Sequence, residues 1–261
     1  MGGKLEKLWT SMITISNTLA FTLHALRWNR AWRIGFSLAA WSVGSCVVAE
    51  FFGYWLHRFL HSGAIRFLSR NHMKHHLVFY GPLQRQRSKS YRDATHGSVS
   101  LGNIGLEWLV PAGLLIAIVL TLFHLLRVPL LYQFFSLGGT VAWSFLMFSY
   151  LHDQMHVEGF WLAKNQWLKR WFLSARRLHD IHHRVLNNRG LMDKNFGIGF
   201  FAFDRLFGTL SLQQPPFNHR GFALARKKFK YVDEEVRSVW PLPHRIEQFE
   251  GVDSFESEES I

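Results

Sequence analysis

The chain has 261 residues, with 30 Lys plus Arg against 18 Asp plus Glu, a net charge of +12, and 48% hydrophobic and 16% aromatic residues. Such a composition excludes a disordered tail and demands a sizeable apolar core, and its wealth of Phe and Trp leans towards a membrane. A single cysteine, Cys46, excludes an intrachain disulfide scaffold or a cysteine-based zinc cluster, so any metal must be held by other side chains.

Residues 8–26 form a weak apolar stretch with Ser and Thr throughout, which reads as a marginal span or a helix lying in the interface. The stretches 34–56, 106–126 and 129–151 are each long enough to cross a hydrocarbon core, which takes roughly 20 helical residues. No charged residue lies between Pro129 and Leu151. The competing reading is a buried helix of a soluble protein, and length and charge weigh against it for the two segments joined at Arg127–Pro129.

The segments 57–105 and 152–230 are basic, and the positive-inside tendency puts both on the cytoplasmic side, with 106–151 as a hairpin that leaves and re-enters that compartment. Arg27, Arg30 and Arg33 run against this topology, because they fall on the opposite side if 34–56 crosses completely. The positive charge is interleaved with bilayer-length apolar runs and belongs to no nucleic-acid recognition motif, so anionic lipid headgroups are the expected partner and nucleic acid is not. The stretch from Glu247 to Ile261 is acidic and reads as a flexible tail, and the N-terminal apolar stretch lacks the cleavage site of a signal peptide. The expected architecture is an all-α integral-membrane protein of three or four transmembrane helices with a helical cytoplasmic cap. Its divisions are an N-terminal segment 1–33, a membrane domain 34–230 and a tail 231–261.

Ten of the 15 histidines fall in four clusters: His57 and His61; His72, His75 and His76; His152 and His156; His179, His182 and His183. Residues three or four apart project from one helix face, so two imidazoles of one helix can reach a common metal. Adjacent histidines point about 100° apart, so one helix can serve two ions. His57 and His152 each directly follow an apolar stretch, which delivers two HxxxH pairs to one depth. Neutral imidazole suits iron, zinc, copper or nickel. A zinc-protease site would need Glu after the first histidine of a pair, where Arg58 and Asp153 stand, and a carboxylate di-iron bundle would need more carboxylates than lie beside these histidines. An all-histidine, dinuclear site remains.

In its order of HxxxH, HxxHH, HxxxH and HxxHH, from about Glu50 to Leu210, the chain resembles the fatty acid hydroxylase and sterol desaturase superfamily of integral-membrane, non-haem di-iron enzymes. Tyr54–Arg58 looks like the family's first box, and Phe203–Thr209 like the segment after its last. The resemblance implies that all ten clustered histidines bind two iron ions, with zinc as a substitute in purified protein, and that dioxygen is the co-substrate. It further implies that a lipid, such as a fatty acyl chain, sterol or carotenoid, is hydroxylated or desaturated. The complete third box, followed by Phe160 and Trp161, tilts the comparison towards fatty-acyl or carotenoid hydroxylases. No fused haem-binding segment is present, so electrons are expected from a separate cytochrome- or ferredoxin-type donor with its reductase, docked on the basic face. The host is the endoplasmic reticulum or a bacterial inner membrane, with the active site facing the cytoplasm.

Metal-bound histidines usually pass their other N–H to a carboxylate or carbonyl. Glu50, Asp153, Asp180 and Asp204 are the candidates for that outer role, with Asp193 beside them, and His96 is an eleventh candidate ligand. Two other readings stay open: a zinc-dependent membrane hydrolase, and a non-catalytic scaffold that keeps its metal cage for structure.

Overall fold

A computed structural model describes residues 2–96 and 106–232, with side chains for 32–93 and 110–232. Among the described residues there is no β-strand, only the isolated bridges Arg87–Val157 and Leu186–Met192. Helix α1 runs unbroken over Gly2–Ser62. No proline precedes Pro82, so nothing in this stretch removes a backbone donor, and the N-terminal segment and the first apolar stretch form one helix. It stops where Gly63 takes φ +66°, a left-handed cap that glycine adopts without strain.

A second helix, α2 (Arg66–Lys74), continues as a π-helical turn over His75–Phe79, and α3 covers Lys89–His96. The hairpin expected over 106–151 is α4 (Leu106–Leu125) and α5 (Leu130–Ser144), the latter extended by a π-helical stretch, Phe145–Leu151, and by α6 (His152–Gln154). Its turn is closed by Arg127 in the left-handed region and by Val128 N–H donating to Phe123 C=O, the bond pattern of a Schellman cap. After a single 3₁₀ turn at Trp161–Ala163 follow α7 (Lys169–Arg184), α8 (Ala202–Leu206) and α9 (His219–Lys228).

Helices α1 and α5 run parallel. Contacts climb both together: Trp41 on Tyr132, Glu50 on Trp143, His57 beside His152. The ring of Phe148 occupies the space a side chain at position 53 would need, so Gly53 is what allows this close approach. Among the described residues two helices are long and apolar enough to cross a bilayer, Trp32–Ser62 and Leu130–Gln154, and their apolar stretches are only 17% and 22% buried. The core helix of a soluble protein would be mostly buried. Here Phe36, Val43, Val47, Leu130 and Phe134 stand exposed, as lipid-facing residues do. A third apolar helix, Val110–Leu125, is shorter than those two.

Two apolar cores form beyond the spans. Met73 and Leu77 pack on Leu186, Met192, Phe222 and Phe229, tying the second histidine cluster to α9. Met147, Leu151 and Met155 pack on Phe160, Phe172 and Ile198, tying the end of α5 to α7.

Candidate metal centre

The four clusters meet. His57, His61, His72, His76 and His182 form one group, and His75, His152, His156, His179 and His183 a second; within each group, one nitrogen from every ring lies within 4.8 Å of all the others. The HxxHH clusters are divided between the groups. His72 and His76, one helical turn apart, serve the first group while His75 turns to the second; His179 and His183 serve the second while His182 turns to the first. The seam is the ring pair His76 and His183, with centroids 3.9 Å apart. The π-helical turn begins at His75, in the middle of the second cluster, and the other π-helical stretch ends just before His152, a placement typical of functional sites.

Four rings are fixed from behind by backbone carbonyls. His57 Nδ1 donates to Phe196 C=O at 2.6 Å, His156 Nδ1 to Arg85 C=O at 2.8 Å, His182 Nδ1 to Lys194 C=O at 2.6 Å, and His183 Nδ1 to Tyr80 C=O at 2.9 Å. A carbonyl only accepts, so each of these rings is protonated at Nδ1 and turns an Nε2 lone pair inward. In the first group, His61 Nε2 lies 2.9 Å from both His72 Nε2 and His182 Nε2. In the second, His179 Nε2 lies 3.0 Å from His156 Nε2 and 3.1 Å from His183 Nε2. Imidazole nitrogens that share one ion at about 2.0–2.1 Å lie about 3 Å apart, so these separations would suit rings that hold a common ion.

Burial and unmet bonding agree with that geometry. His76, His156, His179, His182 and His183 are 0% exposed. The buried Nε2 of His57 and both ring nitrogens of His76 have no hydrogen-bond partner, a state that costs about 1–3 kcal/mol per group unless something else takes the lone pair. Burial first, then the neighbouring imidazoles, hold His72, His76, His179 and His183 well below the usual histidine range; for His182 the same burial and the His57 ring outweigh the opposing Lys194 carbonyl. The residues present fit two late first-row metal ions in an all-nitrogen environment.

A pH dependence follows. In the folded chain these rings stay neutral, whereas in the unfolded chain they titrate near 6.5. The unfolded state therefore binds more protons in acid. Stability is fully present above 6.5 and is lost as pH falls from there towards the depressed folded values. Metal retention and the thermal midpoint, measured from pH 8 to pH 5, are expected to fall together below about 6.5 and to be flat above it.

The carboxylates have partners of their own. Glu50 accepts from Trp143 Nε1 at 2.8 Å and ties α1 to α5. Asp153 pairs with Arg92 at 2.6 Å, which anchors α3 beside the third cluster. Asp180 accepts from Gln86 at 3.2 Å, and Asp193 from Asn187 at 3.2 Å. Asp204, fully buried, accepts from Phe196 N–H, Gly197 N–H and the Thr209 hydroxyl, each at 2.7 Å. It reaches the metal groups only through the Phe196 carbonyl behind His57. The side chain of His96 lies outside the described residues.

Arg92 and Asn195 were not anticipated as site residues. Arg92 could have been suspected from Asp153, a buried-helix carboxylate in need of a cation. Asn195, 0% exposed and at φ 57°, bonds Leu178 C=O, Ser211 C=O and Ser211 N–H; a non-glycine in the left-handed region leaves no clear mark in sequence. The Tyr54 hydroxyl lies 3.1 Å from Thr209 Oγ1, which brings the first box and the segment after the last into one hydrogen-bonded unit.

No curated protein and no solved structure matches the chain. A family model for fatty acid hydroxylase matches residues 42–209, from within the first span to the threonine bound by Asp204. The matched region covers most of the chain and holds all ten histidines of the two groups, and the chain belongs to the fatty acid hydroxylase family.

Proposed function

We propose that this protein is an oxygen-dependent lipid hydroxylase or desaturase with a non-haem di-iron centre. The observation that carries the reading is the pair of five-histidine groups at the ends of two apolar helices, within reach of a substrate lying in the bilayer. Iron in both groups would supply the redox chemistry that an unactivated C–H bond demands and that acid–base side chains lack. The chain's own work is positioning. Its ten imidazoles present neutral donors, the carbonyls of Tyr80, Arg85, Lys194 and Phe196 hold four of them in one tautomer, and the spans lead an apolar chain to the site.

In hydroxylation, one oxygen atom of dioxygen enters the substrate and the other leaves as water, which consumes two electrons and two protons. A separate acidic donor protein with its reductase supplies the electrons at the basic face, and the site faces the cytoplasm, capped by α2, α3, α7 and α9 over three or four spans. Fatty acyl chains, sterols and carotenoids are the substrate classes.

The test is turnover of a lipid panel by the iron-loaded protein in nanodiscs with donor, reductase and ¹⁸O₂. Expected is a hydroxylated product carrying ¹⁸O, or a desaturated one, absent without dioxygen or reductant. Product release under anaerobic conditions by zinc-loaded protein would favour the hydrolase instead, and a folded, metal-loaded chain with no product in either case would favour the scaffold.

A further inference from the structure

The segment between α7 and α9 is not where a soluble cap would put it. Phe203 and Phe207 pack on Phe51 with ring centroids 5.4 Å and 6.4 Å apart, and Phe51 lies eleven residues before α1 ends at Ser62. Phe200 stacks on Trp143 at 5.9 Å, and Trp143 lies eleven residues before Gln154, where the second span ends. The apolar stretches end at residues 56 and 151, so at about 1.5 Å per residue the contacts at Phe51 and Trp143 fall about 8 Å and about 12 Å inside them. Residues 199–207 therefore sit alongside the apolar spans and do not rest above them. Their outward side is largely apolar, with Leu206 70% exposed, Phe200 46% and Phe207 38%, and its one exposed cation, Arg205, has a stem long enough to carry its charge to headgroup level. This surface is continuous with the exposed apolar faces of α1, at Phe51 and Trp55, and of α5.

Non-helical backbone at such a depth is tolerated only when its polar groups are satisfied inside the protein. Here they are. Asp204 takes the N–H groups of Phe196 and Gly197, the Asp204 carbonyl takes those of Thr209 and Leu210, the Trp171 indole donates to Gly199 C=O, and Asn195 serves Ser211. Beside the segment, Trp167, 89% exposed, stands just before α7, which opens with the exposed Lys169 and Arg170. Tryptophan next to basic side chains is the pattern found at headgroup level.

From this we infer that residues 199–207 form a foot seated in the acyl boundary of the phospholipid bilayer, with Phe200, Leu206 and Phe207 against lipid and Trp167, Lys169 and Arg170 among the headgroups. The foot is joined to the metal groups by short bonds, since Asp204 holds Phe196, whose carbonyl holds His57. The inference rests on the membrane reading of the spans and is independent of the reaction.

The test uses the full chain in phospholipid nanodiscs, with Cys46→Ser removing the native thiol. Leu206→Cys, Val43→Cys and Arg189→Cys are each labelled with an environment-sensitive fluorophore; all three side chains are exposed, and retention of the thermal midpoint is checked for each. Acyl-brominated lipid is then introduced. The label at 206 is expected to emit at short wavelength and to be quenched to the extent seen at 43, while that at 189 stays water-like and unquenched. A label at 206 that behaves like 189, with 43 quenched, overturns the foot alone. An unquenched label at 43 overturns the membrane reading, and the foot with it.

Discussion

His76→Ala is expected to bring the metal content of the purified protein from about two ions per chain to about one or fewer, and to abolish turnover. His76 belongs to the first five-histidine group, and its ring packs at 3.9 Å on His183 of the second. Its loss therefore removes a ligand from one group and a wall from the other. His183→Ala should act in mirror image. Changing the outer partner of a ligating histidine already costs about 10–100-fold in affinity or activity, so loss of the ligand itself should exceed ~100-fold. His219→Ala, an exposed position in neither group, is the control and should keep its full complement. Elemental analysis alongside turnover reads both effects, and two ions retained in either variant would remove that histidine from the metal site.

Asp204→Ala is expected to be the most damaging change away from the histidines. It strips the acceptor from Phe196 N–H, Gly197 N–H and the Thr209 hydroxyl, all in a region with almost no water access. Each buried donor left without a partner costs about 1–3 kcal/mol, so the total for three is about 3–9 kcal/mol. The loosened Phe196 carbonyl should also release the His57 ring. Thermal unfolding of the metal-free protein isolates the first effect, and a further drop in metal affinity of about 10-fold isolates the second. Asp204→Asn, which keeps one acceptor oxygen at the same place, should fall between the two in both measurements.

Much of the fold could be read from the chain itself, because its signals were of the kind sequence carries well. Long apolar runs mark 34–56, charged only at Glu50, and 129–151, which has no charge, and they coincide with two helices long enough to span; the tight turn at Arg127–Pro129 sits where expected. Helix α1 runs through Arg27, Arg30 and Arg33 without a break, since basic residues interrupt a hydropathy pattern without interrupting a helix. The four histidine clusters were equally plain, as ligand spacing on a helix is a local property.

Less local features were hidden. Spacing says that His182 and His183 diverge; it does not say that His182 joins His57 across 125 residues while His183 joins His152. The π-helical turns that widen the chain at His75–Phe79 and Phe145–Leu151 have no residue signature either. Carboxylates were the natural candidates to hold the imidazoles, yet carbonyls hold four of them. Every residue has a carbonyl, so which one faces a ring is decided only by the fold.

The exchange of histidines between clusters also governs when the centre can first exist. Before α7 is synthesised, the first group has four of its five members and the second only His75, His152 and His156. A single helix made late thus closes both, through contacts of very long range whose chain entropy must be met before any bond to metal repays it. The two sites should load as one cooperative event after the ribosome has released His183, and a nascent chain stalled earlier should hold neither ion firmly.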